Sequence, residues 1–480
     1  MSRPKLSWSD LAGARVGIWG LGREGRASLR KLATLGAEPV LVDDRPSDPV
    51  DGHQVLVTAD GGLAALEACD AVVKTPGLSR YRPEMARLAA AGVPVAGGLG
   101  LWLAEADRRR VLVVTGTKGK STTSSVAGHL IRGLGYRCLV GGNIGVPPYD
   151  PDAARGGEHG GFDYWVIEVS SYQATDLPCS PPVVAVTSLH PDHLDWHGGV
   201  EQYYRDKLSA CSQPGAELTV ANGDSDLLRA HASLLGPRVE WVREHDDPGT
   251  DWMESLGLPG RHNRRNALIA RRCLVAMDVP GADDDGRLRA AAAGYQPLPS
   301  RLTTVGDVAG VTFVDDSLST NVLPTLAALD AFPGRRIALI VGGHDRGIDY
   351  APLAAGLLAR DAPTYVLTLP DSGPRIRATL ESATNPAPKT TSTPTTTSTP
   401  TATSAPTATS APTAPVAPPA TGFAGVTDCP DLDAAVAAGF RWAQPDGLVL
   451  LSPAAPSFGH FKDYRDRGEA FARAVRTLDD

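Results

Sequence analysis

Cysteines, aromatic residues and long apolar runs are scarce in this chain of 480 residues. The six cysteines lack the paired spacing of a zinc site, and scattered thiols fit a reducing compartment better than a disulfide framework. No run is apolar over the length of a membrane span, and the first ten residues contain no apolar signal segment. The net charge of −8 comes without a basic block, which gives no indication of nucleic-acid binding. We therefore expect a cytoplasmic protein with neither a membrane nor a nucleic-acid partner.

The length and composition indicate a multidomain globular protein. A chain of this size is too long for one core, and its length suggests about three domains. The hydrophobic fraction of 42% is ordinary for a globular protein. One segment differs, because residues 382–421 are almost entirely Thr, Ser, Pro and Ala. With so few apolar side chains to offset chain entropy, we expect this segment to be a disordered surface loop.

Residues 111–123 predict a buried strand, a glycine loop and the first turn of a helix. Gly116 and Gly119 allow a tight turn whose N–H groups can point at an anion, next to the positive end of the helix. Lys120 adds a mobile charge for phosphates, and the Ser121 hydroxyl can bind magnesium. The general P-loop has a further glycine before this loop, so the match is to the shorter form T-G-T-x-G-K-S-T. The stretch predicts phosphate binding.

A second glycine pattern, G-x-G-x-x-G, lies at residues 20–25 between a predicted strand and a predicted helix. Asp43 and Asp44 end the next strand, near the distance expected for a dinucleotide-binding fingerprint. By itself this fingerprint supports a nicotinamide-dependent dehydrogenase. The residues require only that a phosphate or a ribose binds there, and the two acids could instead be a solvated strand end.

Acidic and imidazole side chains follow two predicted strands in the middle of the chain. Glu168 ends an apolar strand, where an unpaired carboxylate is costly to bury unless it binds a cation. The string D-H-L-D at residues 192–195 follows the next strand, and carboxylates favour Mg²⁺ over zinc. His197 is expected at the surface. Lys207, on a helix predicted over residues 200–211, would by itself be an ordinary solvated residue.

Together these strings resemble the Mur ligase family, which adds amino acids to the cell-wall precursor. The resemblance rests on the T-G-T-x-G-K-S-T loop, G-N-I-G at residues 142–145, D-H-L-D, and G-x-H-N-x-x-N at residues 260–266, all in the family order. Folylpolyglutamate synthase and cyanophycin synthetase have related loops, but nothing here indicates a pterin site. A dehydrogenase would leave the phosphate loop and the D-H-L-D string without a function.

The resemblance implies an α/β fold of three domains. These are a Rossmann-like UDP-substrate domain at residues 1–106, a central P-loop ATPase domain with a parallel sheet at 107–298, and a Rossmann-like glutamate-binding domain at 299–480. It also implies ATP and Mg²⁺ as cofactors and a CO₂-derived carbamate on Lys207, with Tyr203 and Tyr204 shielding the amine.

Site residues are carried over from the family motifs, position by position. The catalytic residues implied are Lys120, Glu168, His193 and Lys207. The metal ligands implied are Ser121, Glu168, His193 and Lys207. The ATP site implied comprises Thr115, Gly116, Thr117, Lys118, Gly119, Lys120, Ser121, Thr122, Asn263, Asn266, Arg301 and Asp316. The UDP-substrate site implied comprises Gly20, Leu21, Gly22, Asp43, Thr75, Gly77 and Asn143, and the glutamate site Thr320, Arg346, Ser457, Phe458 and Tyr464.

The implied reaction joins glutamate to UDP-N-acetylmuramoyl-L-alanine in peptidoglycan precursor synthesis. The alanyl carboxylate attacks the γ-phosphate of ATP, and the glutamate amine then attacks the acyl phosphate, giving an amide, ADP and phosphate. Ligases that add D-glutamate have a lysine in the string D-S-K-x-T-N, where this chain has Leu318. The string at residues 342–350 is also similar to ligases that add L-glutamate, which need an epimerase partner. L-glutamate is therefore favoured, with D-glutamate as the alternative.

Overall fold

The computed structural model describes residues 3–154, 161–246, 251–384 and 422–478. The chain divides into two compact units, residues 1–296 and 297–480. Residues 382–384 belong to a helix, which corrects the predicted start of the disordered segment, and residues 385–421 of that segment lie outside the described residues. None of the helices in the described ranges has the length and apolarity that crossing a membrane requires.

The first sheet is fully parallel, with the strand order β3-β2-β1-β4-β5 of a Rossmann-like domain. Its strands are β1 Arg15–Trp19, β2 Glu38–Asp43, β3 Val55–Val57, β4 Ala71–Lys74 and β5 Val95–Gly97. Its helices are α1 Arg23–Thr34, α2 Gly62–Glu67, α3 Pro83–Ala90 and α4 Gly98–Glu105. Strands β1 and β4 are apolar on both faces because helices cover both sides of the sheet.

The second sheet, in the same compact unit, is also parallel, in the order β11-β10-β9-β6-β8-β7. Its strands are β6 Val111–Thr115, β7 Cys138–Gly142, β8 Tyr164–Glu168, β9 Val183–Val186, β10 Leu218–Asn222 and β11 Val239–Val242. Its helices are α5 Lys120–Gly133, α6 Pro151–Ala154, α7 Ser171–Ala174, α8 Leu194–His197, α9 Val200–Leu208, α10 Asp226–Ala230, α11 Arg261–Ala276 and α12 Asp285–Ala292. Strand β6 lies between β9 and β8, which brings the loops after all three to one edge.

The third sheet, in the second unit, is mixed, in the order β12-β13-β17-β14-β15-β16. Its strands are β12 Thr303–Val308, β13 Val311–Asp315, β14 Ile337–Gly343, β15 Thr364–Asp371, β16 Phe423–Asp428 and β17 Leu448–Leu451. Its helices are α13 Val322–Asp330, α14 Ala351–Leu358, α15 Gly373–Thr384, α16 Leu432–Ala443 and α17 Tyr464–Arg476. Only β12 and β13 pair antiparallel. The three sheets fall within residues 15–97, 111–242 and 303–451, one in each predicted domain, and the domain boundaries themselves stay predictions.

Candidate active site

The predicted phosphate loop joins β6 to α5. Gly116 has φ +135°, and a Cβ atom there would lie 2.2 Å from the Oγ1 of Thr187. Gly119 caps α5 with φ +88°. The loop therefore needs glycine both for its backbone conformation and for the close approach of the β9 end. Lys120 bends back over the loop and donates from Nζ to the carbonyls of Gly116 at 3.0 Å and Thr117 at 3.2 Å.

Side chains from the segment after β9 and from α9 hold the loop in place. The Thr117 hydroxyl lies 3.0 Å from the His190 carbonyl and 2.9 Å from the Tyr203 hydroxyl. The backbone N–H of Lys118 donates to the Ser188 hydroxyl at 2.8 Å. Three further members of the predicted ATP site are buried in or just after the loop: Thr115, Ser121 and Thr122. Neighbouring polar groups thus hold the loop rigid.

Glu168, the last residue of β8, has a relative exposure of 1%. Its Oε1 accepts a hydrogen bond from the Nδ2 of Asn143 at 2.7 Å. Its Oε2 is buried and has no hydrogen-bond partner among the described residues. A buried carboxylate oxygen without a donor is unfavourable, so this atom fits a bound cation. Asn143, a predicted contact of the UDP substrate, therefore lies next to the Glu168 carboxylate.

Lys207 is buried on α9 with its side-chain nitrogen against the phosphate loop. Its Nζ donates to the Gly116 carbonyl at 3.1 Å and lies 5.1 Å from the centre of the Tyr203 ring. Burial holds the pKa of Lys207 well below its usual value, and the charge of Lys120 lowers it further. Tyr203 shields the amine as predicted, whereas the ring of Tyr204 packs against Tyr203 and His231. A lowered pKa favours the neutral amine, which is the form that reacts with CO₂.

His193 precedes α8 in a left-handed conformation, with φ +51°. Its ring centre lies 5.1 Å from that of Tyr172, and its side chain is half exposed. Burial lowers the pKa of His193, and the neighbouring Asp192 carboxylate offsets this in part. The neutral imidazole that results can act as a metal ligand.

His197 is buried, and its expected place at the surface is therefore wrong. Its Nδ1 lies 2.7 Å from the Oδ2 of Asp206, and its Nε2 lies 3.0 Å from the Ser171 hydroxyl. Sequence reasoning missed it because His197 is followed by Gly198 and Gly199, which suggests a solvated turn. The contacts that bury its ring come from α7 and α9, and the local sequence does not show them.

The predicted metal site would need a hydroxyl and a carbamate as ligands in addition to acidic and imidazole side chains. Within the described ranges, no group of three His, Cys, Asp or Glu side chains is placed to hold a metal ion. The predicted set contains two such side chains, Glu168 and His193. Ser121 and a carbamate on Lys207 would supply the remaining oxygen ligands. The unpartnered Oε2 of Glu168 is the observation that favours a cation here.

The predicted UDP-substrate loops contact each other in the first domain. Gly20 has φ +92°, and a Cβ atom there would lie 2.1 Å from the Oγ1 of Thr75. Gly22 caps α1. Asp43 accepts hydrogen bonds from the backbone N–H of Leu21 at 2.8 Å and of Arg45 at 3.1 Å. The Asp43 carboxylate therefore shapes the glycine loop.

The loop after β4 also reaches helix α8. The indole N–H of Trp196 donates to the Gly77 carbonyl at 2.9 Å. On α11, Asn266 lies beside the phosphate loop, because a Cβ atom on Gly119 would lie 2.9 Å from its Oδ1. Asn263, one turn earlier, instead donates to the Pro259 carbonyl at 2.8 Å. The structure thus places Asn266 beside the phosphate loop, and Asn263 accepts a hydrogen bond from Asn266 at 3.5 Å.

In the second unit, Asp316 is a buried carboxylate immediately after β13. It accepts hydrogen bonds from the hydroxyls of Ser319 and, at 2.8 Å, of Ser452. Burial raises the pKa of Asp316 to about 7, and the hydrogen bonds from Ser319 and Ser452 lower it in part. Arg301, the other predicted ATP contact of this unit, is half-buried just before β12.

The predicted glutamate site is only partly assembled within the second unit. The Arg346 guanidinium lies 5.5 Å from the centre of the Phe458 ring, and both side chains are exposed. Ser457 is buried and lines a cavity of about 430 Å³. Thr320 is half-buried ahead of α13, and Tyr464 begins α17, where its ring contacts Arg465.

Sequence reasoning missed Arg467, which lines the same cavity. Its guanidinium is fully buried and donates from Nη2 to the carbonyls of Ser317 at 2.8 Å and Ala455 at 3.1 Å. Burial lowers its pKa to about 10. No signal could have found it, because it is one of four arginines in a charged helix.

Comparison with known proteins agrees with this geometry. The model of the Mur ligase middle domain matches residues 114–242, which contain the phosphate loop, Glu168 and Lys207. A UDP-N-acetylmuramoyl-L-alanine–L-glutamate ligase of a Micromonospora species is 40% identical over 98% of both chains. The protein of that name from Salinispora tropica is 41% identical, again over 98% of both chains. The chain belongs to the Mur ligase family.

The fold agrees with a solved structure from the family. The UDP-N-acetylmuramate–alanine ligase of Thermotoga maritima has a TM-score of 0.53 at 17% identity, over 97% of this chain and 100% of that one. As a Mur ligase, the chain is an ATP-dependent acid–amino-acid ligase of peptidoglycan precursor synthesis. Family membership replaces the dehydrogenase alternative, and the G-x-G-x-x-G loop belongs to the first domain of a ligase.

Proposed function

We propose that this Mur ligase joins L-glutamate to UDP-N-acetylmuramoyl-L-alanine through an acyl phosphate, in the cytoplasm. The curated relatives at 40% and 41% identity bear the name of that activity. The observation that carries the chemistry is the buried, unpartnered Oε2 of Glu168 in the domain that contains the phosphate loop and Lys207. It indicates a cation where two anions, a carboxylate and ATP, must approach each other.

Two anions can react only where their charge is neutralised. We assign Lys120 to the phosphates of ATP and the alanyl carboxylate to attack on the γ-phosphorus, which forms the acyl phosphate and releases ADP. The glutamate amine then attacks the acyl carbon, loses a proton, and displaces phosphate to give the amide. A bound Mg²⁺, held by Ser121, Glu168, His193 and Lys207, would supply charge neutralisation and alignment.

Lys207 would take part as a carbamate. Its neutral amine attacks the carbon of CO₂ and loses one proton, which converts the amine into an anionic oxygen ligand. The burial of the amine and its lowered pKa support this assignment. The nearby Lys120 favours an anion at this position for the same electrostatic reason.

The remaining contacts are assigned as follows. In the second unit, Arg301 serves the ATP phosphates and Asp316 the ribose. The UDP moiety is assigned to the loops at Gly20–Gly22 and Thr75–Gly77, with Asp43 and Asn143 as further contacts. Glutamate takes Thr320, Arg346, Ser457, Phe458 and Tyr464, and adenine takes Asn263 and Asn266.

The preference for L-glutamate is supported by the residue at position 318. Leu318 is a half-buried apolar residue, and its backbone N–H donates to the Ser300 carbonyl at 3.2 Å. A lysine would place a cation there, and the loss of a charged hydrogen bond to a substrate carboxylate costs about 1.5–3 kcal/mol. The exposed Arg346 can instead hold a carboxylate with two parallel hydrogen bonds. Use of L-glutamate would require an epimerase to invert that residue afterwards.

The test is phosphate release from ATP with Mg²⁺, bicarbonate and UDP-N-acetylmuramoyl-L-alanine, with either L- or D-glutamate. We expect turnover with L-glutamate, and none when the UDP substrate is omitted. Turnover with D-glutamate alone would contradict the stereochemical proposal and leave the ligase assignment intact. Hydroxylamine added to the reaction without glutamate should trap the acyl phosphate as a hydroxamate, and its absence would contradict the intermediate.

A further inference from the structure

Asp206, the residue before Lys207, is a buried carboxylate that binds three donors. Its relative exposure is 5%. It accepts hydrogen bonds from the Tyr81 hydroxyl at 2.8 and 2.9 Å and from the Nε2 of Gln202 at 2.9 Å. Its Oδ2 also lies 2.7 Å from the Nδ1 of His197. A buried carboxylate with this many partners is held in one position.

The donors come from three different elements. Tyr81 belongs to the loop after β4, which contains Thr75 and Gly77. His197 ends α8, the helix that His193 precedes. Gln202 is on α9, which also contains Asp206 and Lys207. The carboxylate of Asp206 thus links the loop after β4, which is assigned to the UDP substrate, to helix α8 and helix α9.

Trp196 provides a second link between the loop after β4 and helix α8. Its indole N–H donates to the Gly77 carbonyl at 2.9 Å, and its own carbonyl accepts from the Ser79 hydroxyl at 3.2 Å. Its ring centre lies 4.6 Å from that of Tyr172 and 6.2 Å from that of Tyr81. The contact between loop and segment therefore does not depend on one hydrogen bond.

The order Ser171–His197–Asp206 is also that of a nucleophilic triad. His197 bonds Asp206 through Nδ1 and lies 3.0 Å from the Ser171 hydroxyl through Nε2. Ser171, however, has a relative exposure of 2%, so a substrate cannot reach its hydroxyl. The network therefore extends from Asp206, next to Lys207 in the sequence, to Ser171, three residues after Glu168.

We propose that Asp206 is a positioning residue that fixes Lys207 against the phosphate loop, and that Tyr81 ties this position to the UDP-substrate loop. The inference rests on the proposed function, because it assigns a role toward the carbamate of Lys207. Removal of a residue that orients a metal ligand typically lowers the affinity for the metal by about 10–100-fold. Asp206 would act in this way on a carbamate ligand, through the turn of α9 that both residues share.

The experiment compares three full-length variants with the wild type. Tyr81→Phe removes only the hydroxyl that bonds Asp206, and Asp206→Asn keeps the size of the side chain but removes its charge. Tyr365→Phe is the matched control, because its hydroxyl bonds Thr427 at 2.7 Å in the second unit. The readouts are the bicarbonate concentration for half-maximal phosphate release, and the carbamate carbon signal in NMR of protein equilibrated with ¹³C-bicarbonate without substrates.

We expect the half-saturating bicarbonate concentration to rise roughly tenfold in Tyr81→Phe and further in Asp206→Asn, with a weaker carbamate signal at fixed bicarbonate. Tyr365→Phe should match the wild type in both. A lower maximal rate with unchanged bicarbonate dependence and carbamate signal would overturn the inference, since a purely structural role predicts that result. A wild type without any carbamate signal would overturn both the carbamate of the proposed function and this inference. A normal signal insensitive to Tyr81 and Asp206 would overturn the inference alone.

Discussion

Replacing Glu168 by glutamine tests whether its carboxylate binds a cation or only stabilises the fold. The substitution keeps the shape of the side chain and its hydrogen bond with Asn143, and removes the charge. In the wild type Oε2 is buried without a partner among the described residues. A buried polar atom without a partner costs about 1–3 kcal/mol, and more if it is charged. The glutamine protein without metal should therefore unfold with a free energy equal to the wild type or about 1 kcal/mol higher.

The same substitution should strongly reduce ligase activity. Loss of a group that merely orients a ligand costs about 10–100-fold, so loss of the ligand itself should slow phosphate release by more than roughly 100-fold. Mg²⁺ with ATP should stabilise the wild type against urea and stabilise Glu168→Gln much less, because only bound ligand adds to the free energy of unfolding.

The assays are urea unfolding followed by tryptophan fluorescence, with and without Mg²⁺ and ATP, and phosphate release. Glu254→Gln, at an exposed carboxylate, is the control and should match the wild type in both. Two results would refute the reasoning. One is a metal-free Glu168→Gln protein that is less stable by more than about 1 kcal/mol, and the other is equal stabilisation of both proteins by Mg²⁺ and ATP.

Three further outcomes are expected. Gly116→Ala should lose ATP binding in calorimetry, because its Cβ would lie 2.2 Å from the Thr187 hydroxyl, whereas Gly135→Ala, at φ +97° with open space, should only lose about 1 kcal/mol of stability; equal ATP affinities would contradict this. Because the pKa of Asp316 is raised in the folded state, the folded protein binds this proton up to a higher pH than the unfolded chain does. The free energy of unfolding should therefore fall by up to about 1.4 kcal/mol per pH unit as the pH rises from 4 to 7. Asp316→Asn should flatten that slope in urea unfolding, and an unchanged slope would refute it. Arg346→Leu should raise KM for glutamate about tenfold or more and leave KM for ATP unchanged; a rise in both would count against a glutamate contact.

Local sequence was sufficient wherever short-range geometry sets the structure. Four branched apolar residues followed by T-G-T-x-G-K-S-T predicted β6, the loop and α5, and the helix begins at Lys120, one residue before the predicted start. Gly116 and Gly119 have the positive φ that only glycine adopts without strain, so their identity already specifies the loop. The fold class and the family followed from such strings.

The environment of a side chain depends on elements far away in sequence, and only the tertiary structure decided it. His197 looks like a surface residue next to Gly198 and Gly199, and α7 and α9 bury it. Arg467 looks like any arginine of a charged helix, and its guanidinium lies inside the second unit. Asp206 accepts a hydrogen bond from Tyr81, which lies 125 residues earlier in the sequence. The sequence by itself determined which strings form the phosphate loop and the strand ends, because neighbouring residues set backbone geometry. Which polar groups are buried, paired or left without a partner was decided by packing between distant segments, since burial and hydrogen bonding are properties of the assembled fold.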